Sequence, residues 1–271
     1  MQEEINQIGL NAITRWIGSY TYRLLDMTDQ SSGGTAISIK INGRYFFATA
    51  AHVIKSNHEY NMLPHNKEGQ LLRNFINKEF NLDTDVGLLE IDKNEISLIE
   101  NWLDISEIYE EIDHQQEYPV IVKGYPGEMN KTLLKEKISK NWFIEFQRLD
   151  SLSFQSQTLP IQKWPKQIEE IIPTPENDLF VDYYPEDFIY FCPPDTVNMS
   201  KDKTKKCPAF YGMSGGGIWL LENTTEGQIF IPKAKLIGIQ HHVSEKGQWI
   251  RGSLVKCWLN LAKEKYNDIG L

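Results

Sequence analysis

The sequence predicts an all-β protein with a helix at each end. Three observations carry that expectation. Short apolar runs, alternating or continuous, recur along the chain and are bounded by glycine, proline and asparagine. Asn42-Gly43 stands between two alternating runs, and Asn-Gly in that setting is a strong hairpin signal. Apolar residues at helical spacing occur mainly near the two termini.

Residues 3 to 25 place Ile5, Ile8, Ala12, Trp16 and Ile17 at helical intervals, and then Tyr20, Tyr22, Leu24 and Leu25 turn toward alternation. A short helix leading into a first strand is expected there. Ser31 to Gly34 reads as a turn, Thr35 to Ile41 as a strand, and Arg44 to Thr49 as its hairpin partner. Loop and strand fill the interval to Asp85, and Val86 to Ile91 is a buried-strand pattern. Glu95 to Glu111 reads as a surface helix or loop. Tyr118 to Gly127 reads as a strand ending in a turn, with further strands at Trp142 to Phe146 and Leu179 to Tyr184. Pro160, Pro165, Pro173, Pro175, Pro185, Pro193 and Pro194 punctuate long connections. Ile218 to Leu221, Ile229 to Ile231 and Lys235 to Gln240 follow as strands. Val255, Trp258, Leu259, Leu261 and Ala262 share one face of a C-terminal helix.

The 271 residues with 41% hydrophobic content can bury a sizeable core. A net charge of −9 argues against nucleic acid as a partner, because phosphate binding needs clustered lysine and arginine. The one basic run, Lys201 to Lys206, reads as a solvated loop. The segment from Met1 to Asn6 has no secretory pattern and no apolar stretch reaches bilayer length, so the expectation is a cytoplasmic protein that does not engage a membrane. Cys192, Cys207 and Cys257 form an odd, widely spaced set that also fits a reducing compartment. Apart from the adjacent His241 and His242, no Cys or His pair has short metal-ligand spacing, so neither a metal nor another cofactor is expected.

The chemistry concentrates in Tyr211-Gly212-Met213-Ser214-Gly215-Gly216-Gly217-Ile218-Trp219. A serine hydroxyl attacks well only when a base takes its proton and donors meet the oxyanion. Glycines beside Ser214 let the chain turn sharply and aim successive N–H groups at one point. Alone, the segment also reads as a plain turn before a buried strand. Upstream lie Ala48-Thr49-Ala50-Ala51-His52 and Asp85-Val86-Gly87-Leu88-Leu89. With these three segments the sequence resembles the trypsin/chymotrypsin-like serine peptidases, which carry Thr-Ala-Ala-His, Asp-(Ile/Val)-Ala-Leu-Leu and Gly-Asp-Ser-Gly-Gly in the same order. The resemblance covers about residues 33 to 91 and 207 to 243 and is closest to bacterial, non-zymogen relatives. Asp83 and Asp92 are rival carboxylates, but Asp85 alone sits in the family's register.

The resemblance implies two antiparallel six-stranded β-barrels in a single peptidase domain. The first barrel, with the N-terminal helix, would occupy about 1–115. The second would occupy about 116–271, with inserted loops at about 140–206 and the C-terminal helix. It implies His52 as general base, Asp85 as its orienting acid and Ser214 as nucleophile, with the N–H groups of Gly212 and Ser214 as oxyanion hole. Pro208 and Ala209 would form the pocket base, and Gln240, His241 and His242 its walls. No aspartate lies at the pocket floor, so a preference for Lys or Arg is not expected. Met213 replaces the family's aspartate, which removes the ion pair that activates trypsin. The function expected is a serine endopeptidase acting on protein or peptide substrates. A cytosolic endopeptidase needs restraint, which points to a regulatory protein partner, as in a bacterial stress or antiphage response. The other readings are a catalytically silent fold that binds peptides or serves assembly, and an esterase or acyl transferase using the same serine.

Overall fold

Asn42 and Gly43 take φ of 46° and 77°, the left-handed pair a tight hairpin turn requires, and join strands β2 (Ser32–Ile41) and β3 (Arg44–Thr49). Around this hairpin the first sheet assembles. The computed structural model describes residues 2–26, 32–55, 60–63, 72, 75–126, 151–183, 212–226, 229–267 and 269. The expected strand Trp142 to Phe146, the pocket residues Pro208 and Ala209, and Cys192 and Cys207 lie outside them.

The chain opens with helix α1 (Gln2–Gly18) and strand β1 (Thr21–Asp26). A one-turn helix α2 (Ala51–Ile54) follows β3, and then come β4 (Tyr60–Leu63), β5 (Phe75–Asn81) and β6 (Val86–Ile91). These strands pair antiparallel in the order β4-β1-β2-β3-β6-β5. The region expected as a surface helix or loop contains two 3₁₀ turns, Ile96–Leu98 and Ile105–Glu107, and a two-residue strand β7 (Leu103–Asp104). β7 pairs parallel to β2 and adds a seventh strand to this sheet.

The second sheet contains β8 (Pro119–Gly124), β9 (Leu152–Gln157), β10 (Asp178–Asp182), β11 (Gly217–Glu226), β12 (Ile229–Ser244) and β13 (Trp249–Leu254), ordered β10-β13-β12-β11-β8-β9. Its two ends meet. Thr158 bridges Val181, and the Leu159 N–H donates to the Phe180 carbonyl at 2.8 Å, so this sheet closes into a barrel. Among the described residues no ladder joins β4 to β5, and the first sheet is an open half-barrel. The expected all-β architecture with terminal helices is what the structure has; of the two six-stranded barrels expected, the second is present as such, and the first is a half-barrel, seven-stranded because β7 joins it. β9 alternates only over Leu152 to Gln155, and β13 holds Arg251, Gly252 and Ser253 buried in its middle, so neither stands out in the sequence.

The two helices clasp the halves together. α1 precedes the first sheet yet packs on the second, with Trp16 edge-on to Trp219 at 5.8 Å and Ile13 and Ile17 buried. The C-terminal helix α3 (Val255–Lys265) leaves the second sheet and lies on the first. There Trp258 meets Phe46, and its indole N–H donates to the Gly87 carbonyl at 3.1 Å. β2 and β6 are therefore covered on both faces, which is why β6 is buried at every position, Glu90 included through its pair with Arg44. One core fills the half-barrel around Tyr22, Phe47 and Leu89, and a larger one spans the junction and the second barrel.

Candidate active site at the junction of the two sheets

The end of β3 delivers Ala50, Ala51 and His52 to the junction. Ala50 and Ala51 are fully buried, and these small side chains let α2 sit against the start of β6. A Cβ on Gly87 would lie 2.7 Å from the end of the Ile54 side chain, which shows how closely α2 packs on β6. The Ala51 N–H donates to the Asp85 carbonyl at 3.1 Å. The His52 ring is held on this short rigid turn and remains 38% exposed, accessible to a reactant.

Asp85 adopts φ of 47°, a left-handed conformation uncommon outside glycine and found where surrounding structure enforces it. The side chain of Asn81 prepares the turn by accepting the N–H groups of Asp83 and Thr84. Asp85 Oδ1 accepts the His52 main-chain N–H at 2.9 Å, and Oδ2 lies 2.7 Å from His52 Nδ1. Burial works against ionisation of Asp85, but the hydrogen bonds from His52 together with the attraction of His241 and His52 outweigh it and hold the carboxyl below its ordinary range. With Nδ1 committed as donor to Asp85, Nε2 of a neutral His52 carries the lone pair a general base needs.

Ser214 sits on a turn tied to both sheets. Its carbonyl accepts the Thr35 N–H at 2.8 Å, while the Gly215 N–H donates to Gln240 at 2.7 Å and the Gly216 N–H to Met213 at 2.8 Å. Gly212 and Gly215 take φ of 93° and 89°. A side chain at Gly34 would meet Val53 at 2.7 Å and the Ser214 carbonyl at 2.9 Å, so the serine turn lies directly against the His52 helix. Thr35 is the strut: its hydroxyl donates to the Gly212 carbonyl at 3.0 Å and accepts the Tyr125 N–H at 3.0 Å. The Ser214 hydroxyl itself points to the His241 carbonyl at 3.5 Å. Among the described residues no hydrogen bond joins it to His52.

Of the residues expected as pocket walls, Gln240 is buried and its main chain pairs with Gly215 and Gly216. His242 is exposed and stacks on Trp249 at 5.4 Å. The His241 ring is 5% exposed and faces Asp85, with Nδ1 3.4 Å from Oδ2. The cause is a bulge: Gln240 pairs with Gly252 and His242 with Arg251, which leaves His241 as the extra residue. Thr35 and the bulge were not legible as parts of the site, because each acts through a partner far away in sequence. Among the described residues no group of three His, Cys, Asp or Glu side chains is arranged to hold a metal ion, and no helix is long and apolar enough to cross a membrane.

No protein-family model matches the chain, and no curated protein matches it by sequence. Solved structures do match. HL collagenase superposes with a TM-score of 0.51 at 16% identity, over 91% of this chain and 93% of its own. The fold is chymotrypsin-like. The serine protease of human pathogenic astrovirus also matches, with a TM-score of 0.44 at 11% identity over 87% of this chain and 89% of its own. At these identities the likeness concerns the chymotrypsin-like fold alone. His52 and Asp85 come from its first sheet, and Ser214 enters the second.

Proposed function

We propose that this protein is a serine endopeptidase. The observation that carries the reading is the bonded His52–Asp85 pair, 2.7 Å apart, set against the glycine-rich Ser214 turn where the two sheets meet. In the first step the Ser214 hydroxyl turns from the His241 carbonyl to His52 Nε2. Its proton passes to that nitrogen as Oγ bonds to the scissile carbonyl carbon. Asp85 holds the ring in the Nδ1–H tautomer and stabilises the imidazolium. The N–H groups of Gly212 and Ser214 receive the oxyanion. Collapse of the tetrahedral adduct breaks the C–N bond, and His52 gives its proton to the leaving amine. Water then attacks the acyl-enzyme by the same route in reverse.

An extended peptide suits the surroundings. β12 pairs with β11 only as far as Ile239, which leaves the stretch from His242 to Val243 without a described strand on that side. Met213 is wholly buried and apolar, so the serine turn has no charge-based latch at that position. We assign its control to a protein partner inside the cell. Recovery of no stable partner on affinity purification of Ser214→Ala from its native host would remove that assignment.

The Ser214–His241 bond gives specific support to a second reading, a silent fold that binds peptides. One experiment separates the two. Intact mass after exposure to a fluorophosphonate should show one adduct per chain, absent from Ser214→Ala and His52→Ala. A wild-type chain that stays unlabelled, alone and with its purified partner, favours the silent fold. Labelling together with ester cleavage but no peptide cleavage would instead mark an esterase.

A further inference from the structure

The bulge on β12 has built something around Asp85. The Oδ2 atom that meets His52 Nδ1 at 2.7 Å is also approached by His241 Nδ1 at 3.4 Å, from the opposite sheet. Oδ1 is already taken by the His52 main chain. His241 Nε2 is buried with no hydrogen-bond partner. The same residue's carbonyl receives the Ser214 hydroxyl, so His241 touches both ends of the proposed triad. We propose that His241 is a positioning residue for hydrolysis, a neutral imidazole whose Nδ1–H fixes the Asp85 carboxylate against the His52 ring. The proposal rests on the peptidase reading of His52, Asp85 and Ser214.

The tautomer follows from what the ring faces. A lone pair on Nδ1 would repel the Asp85 carboxylate oxygen 3.4 Å away, whereas an N–H there is attracted to it. The charged and titratable groups around the ring are Asp85, Arg251, His52 and His242. Burial disfavours the imidazolium, and Arg251, His52 and His242 act in the same sense against the single attraction of Asp85. The ring is therefore held neutral, its pKa lowered to about 3. Neutrality suits the role. A second cation beside Asp85 would compensate the carboxylate that the His52 imidazolium needs, while an N–H dipole orients it and leaves its charge in place. A bulge beside a reacting centre is a recognised way to re-aim one side chain, and here it carries the ring across the junction between sheets.

The test uses the full chain with ¹⁵N-labelled histidine, as wild type, His241→Leu and His241→Asn. Leucine fills the space without a donor, and asparagine returns an N–H near the position of Nδ1. In wild type the His241 nitrogens should report a neutral Nδ1–H tautomer from about pH 4 to 8, and a downfield proton should mark the His52–Asp85 bond. His241→Leu should shift or broaden that proton and slow fluorophosphonate labelling of Ser214 by roughly tenfold or more, a fraction of the 10²–10⁴ that a general base contributes. His241→Asn should restore both. Denaturation midpoints measured alongside separate loss of folding from loss of positioning. An Nε2–H tautomer, or a His241→Leu variant matching wild type in the downfield proton and the labelling rate, overturns the proposal. A wild type that stays unlabelled both alone and with its purified partner, yet shows the expected tautomer and downfield proton, overturns the peptidase reading and leaves the His241–Asp85 contact supported.

Discussion

Replacing Thr35 by valine keeps the shape of the side chain and removes one hydroxyl from the strut between the sheets. Two buried main-chain groups lose their bond to it together, the Gly212 carbonyl and the Tyr125 N–H, each at 3.0 Å. Stranding a buried polar group costs roughly 1–3 kcal/mol. Thr35→Val should therefore cost about 2–6 kcal/mol, a large part of the 5–15 kcal/mol typical of a folded domain. The loss is also directional. With the Gly212 carbonyl released, the 212–213 peptide can rotate and misalign the neighbouring N–H groups proposed as oxyanion donors, a donor of that kind being worth about 10²–10³ in rate. A drop of roughly tenfold to a hundredfold in Ser214 labelling is expected in the fraction that stays folded. Urea denaturation followed by tryptophan fluorescence reads the first effect, and time-resolved intact mass reads the second. Thr49→Val is the control. It removes only the 2.7 Å bond to the Thr35 carbonyl and should cost about 1 kcal/mol. A Thr35→Val protein within about 0.5 kcal/mol of wild type and labelled at the same rate would refute the strut.

Gly215→Ala should yield little soluble protein and no labelling, because its Cβ would lie 2.0 Å from the Thr35 carbonyl oxygen and 2.2 Å from Thr49 Oγ1, at φ of 89°. Asp85→Asn should keep the fold, since asparagine tolerates φ of 47°, and lower peptide hydrolysis by about 10⁴ through the wrong His52 tautomer; circular dichroism and steady-state rates check the two halves. Arg251→Met should cost about 3–5 kcal/mol, because Asp178 is buried and loses its 2.7 Å partner; adding Asp178→Asn should recover part of it in urea melts. Wild-type stability should fall as pH drops from about 6.5, where an unfolded histidine takes up its proton, to about 3, where folded His241 does. The slope is about 1.4 kcal/mol per unit, roughly 5 kcal/mol in all, flat above the window, and His241→Asn should lack this component in melts across the range.

Much of this was legible before any coordinates. The Asn42-Gly43 turn, the paired runs beside it, the apolar run at Val86 and the terminal helices are local patterns, set by φ/ψ preference and burial period. β9 was not, because Ser153 and Ser156 are polar positions made acceptable by tertiary partners, Lys123 and the Asp182 carbonyl. β13 was hidden in the same way, since Arg251 is buried on Asp178. The two-residue β7 is too short for any pattern to register. It exists because β1 pairs with β2 only as far as Ile37, which leaves that edge of Ile39 and Lys40 open.

The site divides along the same line. The three segments that resemble the peptidase family, in the family's order along the chain, nominate His52, Asp85 and Ser214, because motifs of that kind are local runs of residue types. The left-handed backbone at Asp85, the 2.7 Å bond to His52 and the present aim of the Ser214 hydroxyl toward His241 are properties of packed neighbours. The clearest division is at His241. The family resemblance implies a pocket wall there, and a single extra residue against β13 turns the ring onto Asp85. A bulge depends on the register between two strands, and register is settled by how both sheets and both helices pack, at positions far from one another in sequence.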